Sequence, residues 1–364
     1  MRVIQDGASQ FGGGLSYYRR TLGELLTGPG IWLALLGLGL WALFTETDAF
    51  VIGVVTGSVL ALGAIGLTLI YGVLKFAHFA HGDSMMLAAY LAFFFLTGNI
   101  VEERADARLL PWSVADLPAA TEPILDFSFG YGLLIAIVIA GAAVAAVFIV
   151  LDRLVYAPLR RRGSGIVIFA IASLGIAIAM RSVILIIWGP MPRFYSPGIR
   201  PTTDLPFDVR IVTDQFFVFG AAVLLAAVVY VILFRTKLGK AMRAMADNAD
   251  LALVSGINTD QIVRWTWIVG GALVAIAGSL LALQTQLNPE LGFVLLLPLF
   301  AATVLGGIGS PHGAFVGGMV VGISQEVAVT LDILSPGYKF SVAFVILIFI
   351  LLFRPRGLFG AQSG

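Results

Sequence analysis

Ten continuous apolar runs, separated by short polar segments, occupy most of this chain. Hydrophobic residues make up 59% of its 364 residues and charged residues only 12%, whereas a soluble domain has about 25% charged residues. No soluble core can bury so much apolar surface, so the composition excludes soluble domains, a disordered chain and a nucleic-acid-binding protein. Because apolar and polar positions do not alternate within the runs, they predict helices rather than barrel strands. The expected fold is an all-α, polytopic transmembrane helix bundle.

The lengths of the apolar runs set the number of expected spans, since about 20 apolar residues cross a bilayer as a helix. We predict ten spans, near residues 31–46, 50–73, 84–97, 130–150, 166–188, 215–234, 263–284, 292–308, 312–330 and 338–353. The third and eighth are short or interrupted by glycine, and each is either a span or a re-entrant segment, which leaves eight to ten crossings. We expect one transmembrane domain over 31–360, a polar segment over 1–30 and a tail over 361–364.

The placement of lysine and arginine predicts the orientation of the chain in the membrane. With both termini in the cytoplasm, fifteen of these residues lie inside, six lie outside and Arg181 lies within a span. Cytoplasmic loops carry an excess of lysine and arginine, so this orientation is the expected one. It places residues 152–165 and 235–262 in the cytoplasm, and residues 98–129, 189–214 and 331–337 on the outer side.

Residues 235–262, the longest interior cytoplasmic segment, have the pattern of a helix. One helix face would carry small and apolar residues, namely Met242, Ala246, Ala249 and Leu253. We predict a single helix over 239–255, with Arg243 and Asp247 spaced for an ion pair. Gly256 would end this helix in a left-handed conformation, and Asn258 or Thr259 would cap the next one. Such a helix either docks in a groove on a partner protein or lies on lipid headgroups.

Ionisable residues between two apolar runs are candidates for function in a membrane protein. His78, His81 and Asp83 form such a group at 75–84, together with Lys75. A zinc site normally has three or four ligands, and the only other histidine is His312, so we expect no metal here. Two interpretations remain open. The group is either a polar helix break, with Asp83 or Ser84 capping the next helix, or part of the transport path or its gate.

The glycine-rich stretch GGIGSPHGA, residues 306–314, superficially resembles a phosphate-binding loop. It lacks the terminal G-K-[ST] and follows an apolar helix rather than a strand, so we predict no nucleotide site. Close helix crossing or an unwound segment that lines a cavity explains the glycines better. The candidates in this stretch are Gly306, Gly307, Gly309 and His312. Arg181 and Glu326 each interrupt an apolar run and should face the bundle, either as a mutual ion pair or with other partners.

Four motifs resemble those of ATP-binding-cassette (ABC) importers. The spacing of Ala246, Asp247, Ala249, Gly256 and Ile257 is similar to the coupling-helix signature of importer permeases, although the glutamate that usually precedes the alanines is absent. Residues 66–90, 237–262 and 303–318 resemble the membrane subunits of branched-chain amino-acid ABC transporters, and are closer to the shorter of the two homologous permeases. The resemblance covers roughly residues 50–360.

This resemblance implies a transport subunit of the bacterial inner membrane rather than an enzyme. It implies a partner permease, two ATPase subunits that bind ATP and magnesium, and a periplasmic substrate-binding protein. The chain itself would carry no cofactor. The coupling residues would be Met242, Arg243, Ala246, Asp247, Ala249, Asp250, Leu253 and Gly256. Alternatives that stay open at this point are a permease for urea or small amides, and a self-sufficient secondary transporter or channel, for which His78, His81, Asp83, Arg181 and Glu326 would supply polar groups at membrane depth.

Overall fold

A computed structural model describes residues 30–100, 109–196, 198, 200–205, 209–330 and 335–360 of the chain. The elements in chain order are α1 (Gly30–Thr45), α2 (Thr47–Leu74), α3 (His81–Thr97), α4 (Tyr131–Leu151), α5 (Ala157–Arg161), α6 (Ile166–Trp188), β1 (Thr202–Asp204), β2 (Arg210–Val212), α7 (Asp214–Arg235), α8 (Lys237–Asp247), α9 (Ala249–Val254), α10 (Thr259–Gln284), α11 (Leu291–Gly306), α12 (Pro311–Thr330) and α13 (Lys339–Phe353). A π-helical turn, Asp152–Tyr156, joins α4 to α5. The two strands pair antiparallel as a small hairpin.

Each predicted span corresponds to a helix, which confirms the polytopic helical fold. Within the described residues, seven helices are long and apolar enough to cross a membrane: those that contain α2, α4, α6, α7, α10, α12 and α13. The helices α1, α3 and α11 have only 16, 17 and 16 residues. The short third and eighth segments of the sequence are therefore short helices in the structure as well. Residues 1–29 and 361–364 lie outside the described residues.

The bundle has a buried centre and an apolar periphery. Most of the α2 and α10 side chains are buried, whereas most of the α6, α7 and α13 side chains are half-buried or exposed. The helix α2 packs against α7, α10, α11 and α12, and α10 packs against α3 and α4 as well. Because the exposed side chains of the outer helices are mainly leucine, isoleucine, valine and phenylalanine, this periphery suits contact with lipid.

Glycines allow α2 and α12 to approach each other closely. A side chain at Gly322 would overlap the backbone of Gly57, and one at Gly53 would lie 2.7 Å from the Cα of Ile323. Gly318 faces Ala61 in the same way. Glycines spaced by four residues, Gly53 with Gly57 and Gly318 with Gly322, therefore serve as packing notches.

The short helix α11 is held by glycine contacts at both ends. Gly292, near its start, lies against the backbone of Gly82 in α3, and Gly306, its last residue, lies against Gly313 in α12. In addition, Leu358 N and Phe359 N donate hydrogen bonds to the carbonyls of Leu305 and Gly306, at 2.7 and 3.0 Å. The C-terminal segment therefore packs onto the same end of α11.

Candidate functional site

The predicted single helix over 239–255 is two helices in the structure. Asn248 separates α8 from α9 with an extended backbone (φ −154°, ψ 107°), and its Oδ1 accepts a hydrogen bond from Leu251 N at 2.9 Å. An asparagine side chain that caps the second helix competes with continuation of the first, which explains the break. Gly256 has φ +86° and ends the pair in the left-handed region, as predicted. Asn258 caps α10 by accepting from Gln261 N at 3.0 Å.

The break at Asn248 changes which residues of this segment are buried. Met242, Met245 and Ala252 point into the protein. Ala249, Asp250 and Leu253 are exposed, so the predicted continuous face of Met242, Ala246, Ala249 and Leu253 is wrong. The exposed apolar side chains of α9 are Leu251 (62% exposed), Leu253 (57%) and Val254 (81%), which we call the α9 tip. A prediction based on one unbroken helix face does not include Leu251 and Val254. Asn248, a residue that favours the start of a helix, is the sequence signal for the break that exposes them.

Contacts with neighbouring elements hold α8 against the bundle. Lys75 Nζ donates a hydrogen bond to the carbonyl of Ala246, and the Arg243 guanidinium lies 4.8 Å from the centre of the Phe234 ring. Arg243 and Asp247 do not form the predicted ion pair, because Arg243 stacks on α7 instead. A cavity of about 430 Å³ lies between α8 and the ends of α2, α7 and α12. Its polar lining includes Lys75, Arg243, Asp247, Gly309 and His312.

The break between α2 and α3 is packed with aromatic rings. Lys75 ends α2 with φ +60°, and α3 begins at His81 rather than at the predicted residue 84. His78 is fully buried, with its ring centre 5.3 Å from that of Trp267 and 5.5 Å from that of Phe148. Neither Asp83 nor Ser84 caps α3, whose N-cap residue is Ala80. The edge-to-face contacts of Phe148 and Trp267 with His78 hold its imidazole in a well-packed site.

The two histidines and Asp83 have different partners. His81 Nε2 lies 2.8 Å from the carbonyl of Gly63, and the His78 and His81 ring centres are 5.9 Å apart. The Asp83 carboxylate accepts hydrogen bonds from Arg181 Nε and Nη2 at 3.0 and 3.3 Å. In the part of the chain that the structure describes, no three His, Asp or Glu side chains are grouped where they would hold a metal ion. The geometry supports a packed helix break at 75–80.

Arg181 and Glu326 do not form the ion pair considered from the sequence. Arg181 pairs with Asp83, whereas Glu326 Oε1 accepts from Thr56 Oγ1 at 3.0 Å and from Lys339 Nζ. Both charges therefore have an oppositely charged protein partner, as expected for ionisable residues at membrane depth. Sequence spacing did not reveal these partners because they come from distant helices.

The glycine-rich stretch joins α11 to α12 by a tight turn. Gly307 and Gly309 have φ +102° and +87°, and Gly309 N donates to Thr68 Oγ1 at 2.8 Å. His312 lies between the rings of Phe234 and Phe359, at 5.6 and 6.0 Å. The glycines thus serve both expected roles, since Gly306 allows a close crossing and Gly309 lines the cavity beneath α8.

The sequence analysis did not predict the hydrogen-bonded polar group centred on Asp152, near the end of α4, which we call the Asp152 node. Asp152 Oδ1 accepts hydrogen bonds from Trp267 Nε1 and from Arg160 Nη1, both at 2.8 Å, and Arg160 Nη2 adds a third bond at 3.0 Å. The node ties α4 and α5 to α10, close to the base of the α8–α9 pair. The available signal was an acidic residue directly after an apolar run.

These features define a polytopic helical membrane protein that presents a short helix pair beside its spans. A family profile described as the permease component of branched-chain amino acid transport systems matches residues 49–351. BraD, a high-affinity branched-chain amino acid transport permease of Pseudomonas aeruginosa, is 31% identical over 85% of this chain and 94% of its own length. LivH of Escherichia coli K12, a permease of the same description, is 31% identical over 85% and 93%. The chain belongs to this family of transport permeases.

Proposed function

We propose that this chain is the permease subunit of an ABC importer for branched-chain or related hydrophobic amino acids. The family membership supports the substrate class, and the α9 tip is the observation that carries the coupling role. The α9 tip exposes three large apolar side chains at a cytoplasmic helix end. Because contact of apolar surface with water is unfavourable, these side chains suit burial in a groove of a partner protein. The partner is an ATPase subunit, because this chain has no phosphate-binding loop.

The coupling residues divide into two groups under this proposal. The α9 tip and its neighbours Asp247, Ala249, Asp250 and Gly256 contact the ATPase. Met242, Arg243 and Ala246 hold α8 against the bundle, where they border the cavity that contains Lys75 and His312. A displacement of the tip therefore reaches the ends of α2, α7 and α12. The ATPase, a second permease and a periplasmic binding protein complete the importer, and this chain binds no cofactor of its own.

The proposed function is tested by uptake into proteoliposomes that contain the complete importer. Leucine uptake should require ATP on the membrane face that carries α9 and binding protein on the opposite face. Uptake of urea instead of leucine would favour the amide-permease alternative. Leucine uptake by this chain without ATP or ATPase would favour a self-sufficient transporter and overturn the proposal.

The same proposal places both chain ends and the α8–α9 pair in the cytoplasm of a bacterial inner membrane. Arg162→Cys, in the exposed turn after α5, should react with an impermeant thiol reagent only from the cytoplasmic side. Thr202→Cys, in the exposed strand β1, should react only from the periplasmic side. The native chain has no cysteine, so each variant carries a single reporter. Labelling with the opposite sidedness would reverse the orientation.

A substitution at Gly256 tests whether the position of α9 matters for coupling. A side chain here would contact nothing within 4 Å in this chain, so within the subunit Gly256→Val acts only through the φ of +86°. Strain of about 1–3 kcal/mol should displace the helix end and reduce uptake by about tenfold or more. Gly256→Asn is the matched control, because asparagine tolerates the left-handed region, and it should keep most of the uptake. Wild-type uptake by Gly256→Val would argue against the coupling assignment.

A further inference from the structure

The Arg181 guanidinium keeps one edge free inside a membrane-spanning helix. Arg181 is about 10 Å from the end of α6 at Trp188, as judged by the helical rise of 1.5 Å per residue. Its Nε and Nη2 are bound by Asp83, whereas Nη1 makes no hydrogen bond within the described residues. The Arg181 side chain is 22% exposed and that of Asp83 only 1%. The exposed part of this ion pair therefore belongs to Arg181, and Nη1 is the donor that Asp83 leaves over.

The Arg181 guanidinium lies over the ring of Phe293, a residue that lines an aromatic groove. The Arg181 Cζ is 4.4 Å from the centre of the Phe293 ring, and Phe293 is in the first turn of α11. The groove runs from there between α11 and α13 and has a volume of about 810 Å³. Its lining includes Phe79, Phe293, Leu296, Phe300, Phe340 and Phe344. The Gly82–Gly292 crossing holds α3 against α11 and so fixes Asp83 and Arg181 beside Phe293.

The combination of groups points to a ligand rather than to bulk lipid. A charged group that faces hydrocarbon is unfavourable, so such residues normally face protein or a water-filled cavity. A guanidinium binds carboxylates strongly through its planar set of N–H donors. The adjoining surface is apolar and aromatic, and it therefore suits an aliphatic side chain. A branched-chain amino acid carries a carboxylate and such a side chain within one small molecule.

We propose that Arg181 binds the carboxylate of the amino acid during its passage, while the groove beside Phe293 receives the aliphatic side chain. Asp83 is a positioning residue, because its buried carboxylate holds two of the three guanidinium nitrogens and leaves Nη1 for the substrate. This inference rests on the proposed function and adds the place at which the permease contacts its substrate.

The test uses the complete importer in proteoliposomes and a leucine analogue with a diazirine in its side chain. During ATP-driven turnover, photolysis should label this chain within residues 293–300. The double variant Asp83→Asn/Arg181→Met removes both charges, so it leaves no unpaired charge to perturb folding. It should retain its ATPase subunits and lose at least about tenfold of the labelling. Arg181→Lys should keep an intermediate level, since it retains the charge but not the planar donor set.

Further variants separate a binding role from a structural one. Asp83→Asn should raise the analogue concentration for half-maximal labelling, because the Arg181 guanidinium loses the carboxylate that fixes its position. Phe300→Ala should reduce labelling, whereas Phe349→Ala, a control on α13 that packs against Phe353 outside the groove, should not. Labelling confined to other helices, or full labelling in the double variant, would overturn the proposal.

Two outcomes distinguish this proposal from failure of the proposed function and from the binding of a lipid phosphate at Arg181. If the wild-type importer transports no leucine, the proposed function fails and the substrate site at Arg181 is overturned with it. If the effect of the double variant disappears in liposomes without anionic phospholipid, Arg181 binds a lipid phosphate, and the substrate site is overturned. We expect the same labelling pattern in liposomes of neutral and of mixed lipid composition.

Discussion

Replacing Gly322 with leucine should abolish the accumulation of folded subunit in the membrane. A side chain at this position would overlap the Gly57 backbone, and the nearest atoms belong to the main chain of α2 rather than to a flexible side chain. The crossing of α2 and α12 would have to open. Because α2 also packs against α7, α10 and α11, this opening would disturb the centre of the bundle. Overpacking of this kind costs about 3 kcal/mol or more, because no rotamer change relieves it. Tm and the yield of monodisperse protein measure the effect.

A matched substitution separates the crossing from the general cost of a larger residue. Gly220 lies in α7, and a Cβ atom at this position would have no neighbour within 4 Å, so Gly220→Leu should leave Tm and yield near wild-type values. Equal loss of protein from both variants would show that leucine insertion itself is harmful. Equal retention of both would contradict the close α2–α12 packing.

Val254→Asp should stop transport without affecting the fold. Val254 is 81% exposed, and substitutions at such surface positions change unfolding free energy by only about 0.5 kcal/mol. In the proposed complex, however, the new carboxylate would be buried against the ATPase without a partner, at a cost of several kcal/mol. We expect uptake to fall by about 100-fold and the ATPase to be lost on purification.

The control for this variant keeps the shape and polarity of the tip. Val254→Ile should support normal uptake, and Leu251→Asp, at another exposed tip residue, should fail in the same way as Val254→Asp. By contrast, Ala252→Asp should reduce protein yield, because Ala252 is buried. A fully active Val254→Asp importer with ATPase attached would remove the α9 tip from the docking surface.

The spans were predictable from the sequence because hydropathy is a local property. All ten segments begin and end within a few residues of the helices observed. The α8–α9 pair was predicted only in part, since helix periodicity indicates a face but not a break. Asn248 decided the geometry through a single side-chain hydrogen bond. That bond competes with one more helical turn, and the difference in free energy is too small to be read from a pattern.

The hydrogen-bond and ion-pair partners of the polar residues inside the spans could not be predicted from the sequence, for a different reason. Arg181 and Asp83 are 98 residues apart, and Thr56 and Glu326 are 270 apart. Such contacts depend on which helices become neighbours, and no alternation or spacing in one chain encodes that. The prediction that charges inside the spans face the bundle was sound, because it follows from the solvent alone.

The glycine contacts at both ends of α11 have a consequence for how a signal crosses the bundle. This helix is about 24 Å long by its rise per residue, and its start lies against Gly82 while its end lies against Gly313. Main chains in direct contact have no side chains between them to absorb a shift. A shift of the α12 end beside the cavity under α8 would therefore bear directly on the main chain of α11, whose other end carries Phe293 beside Arg181.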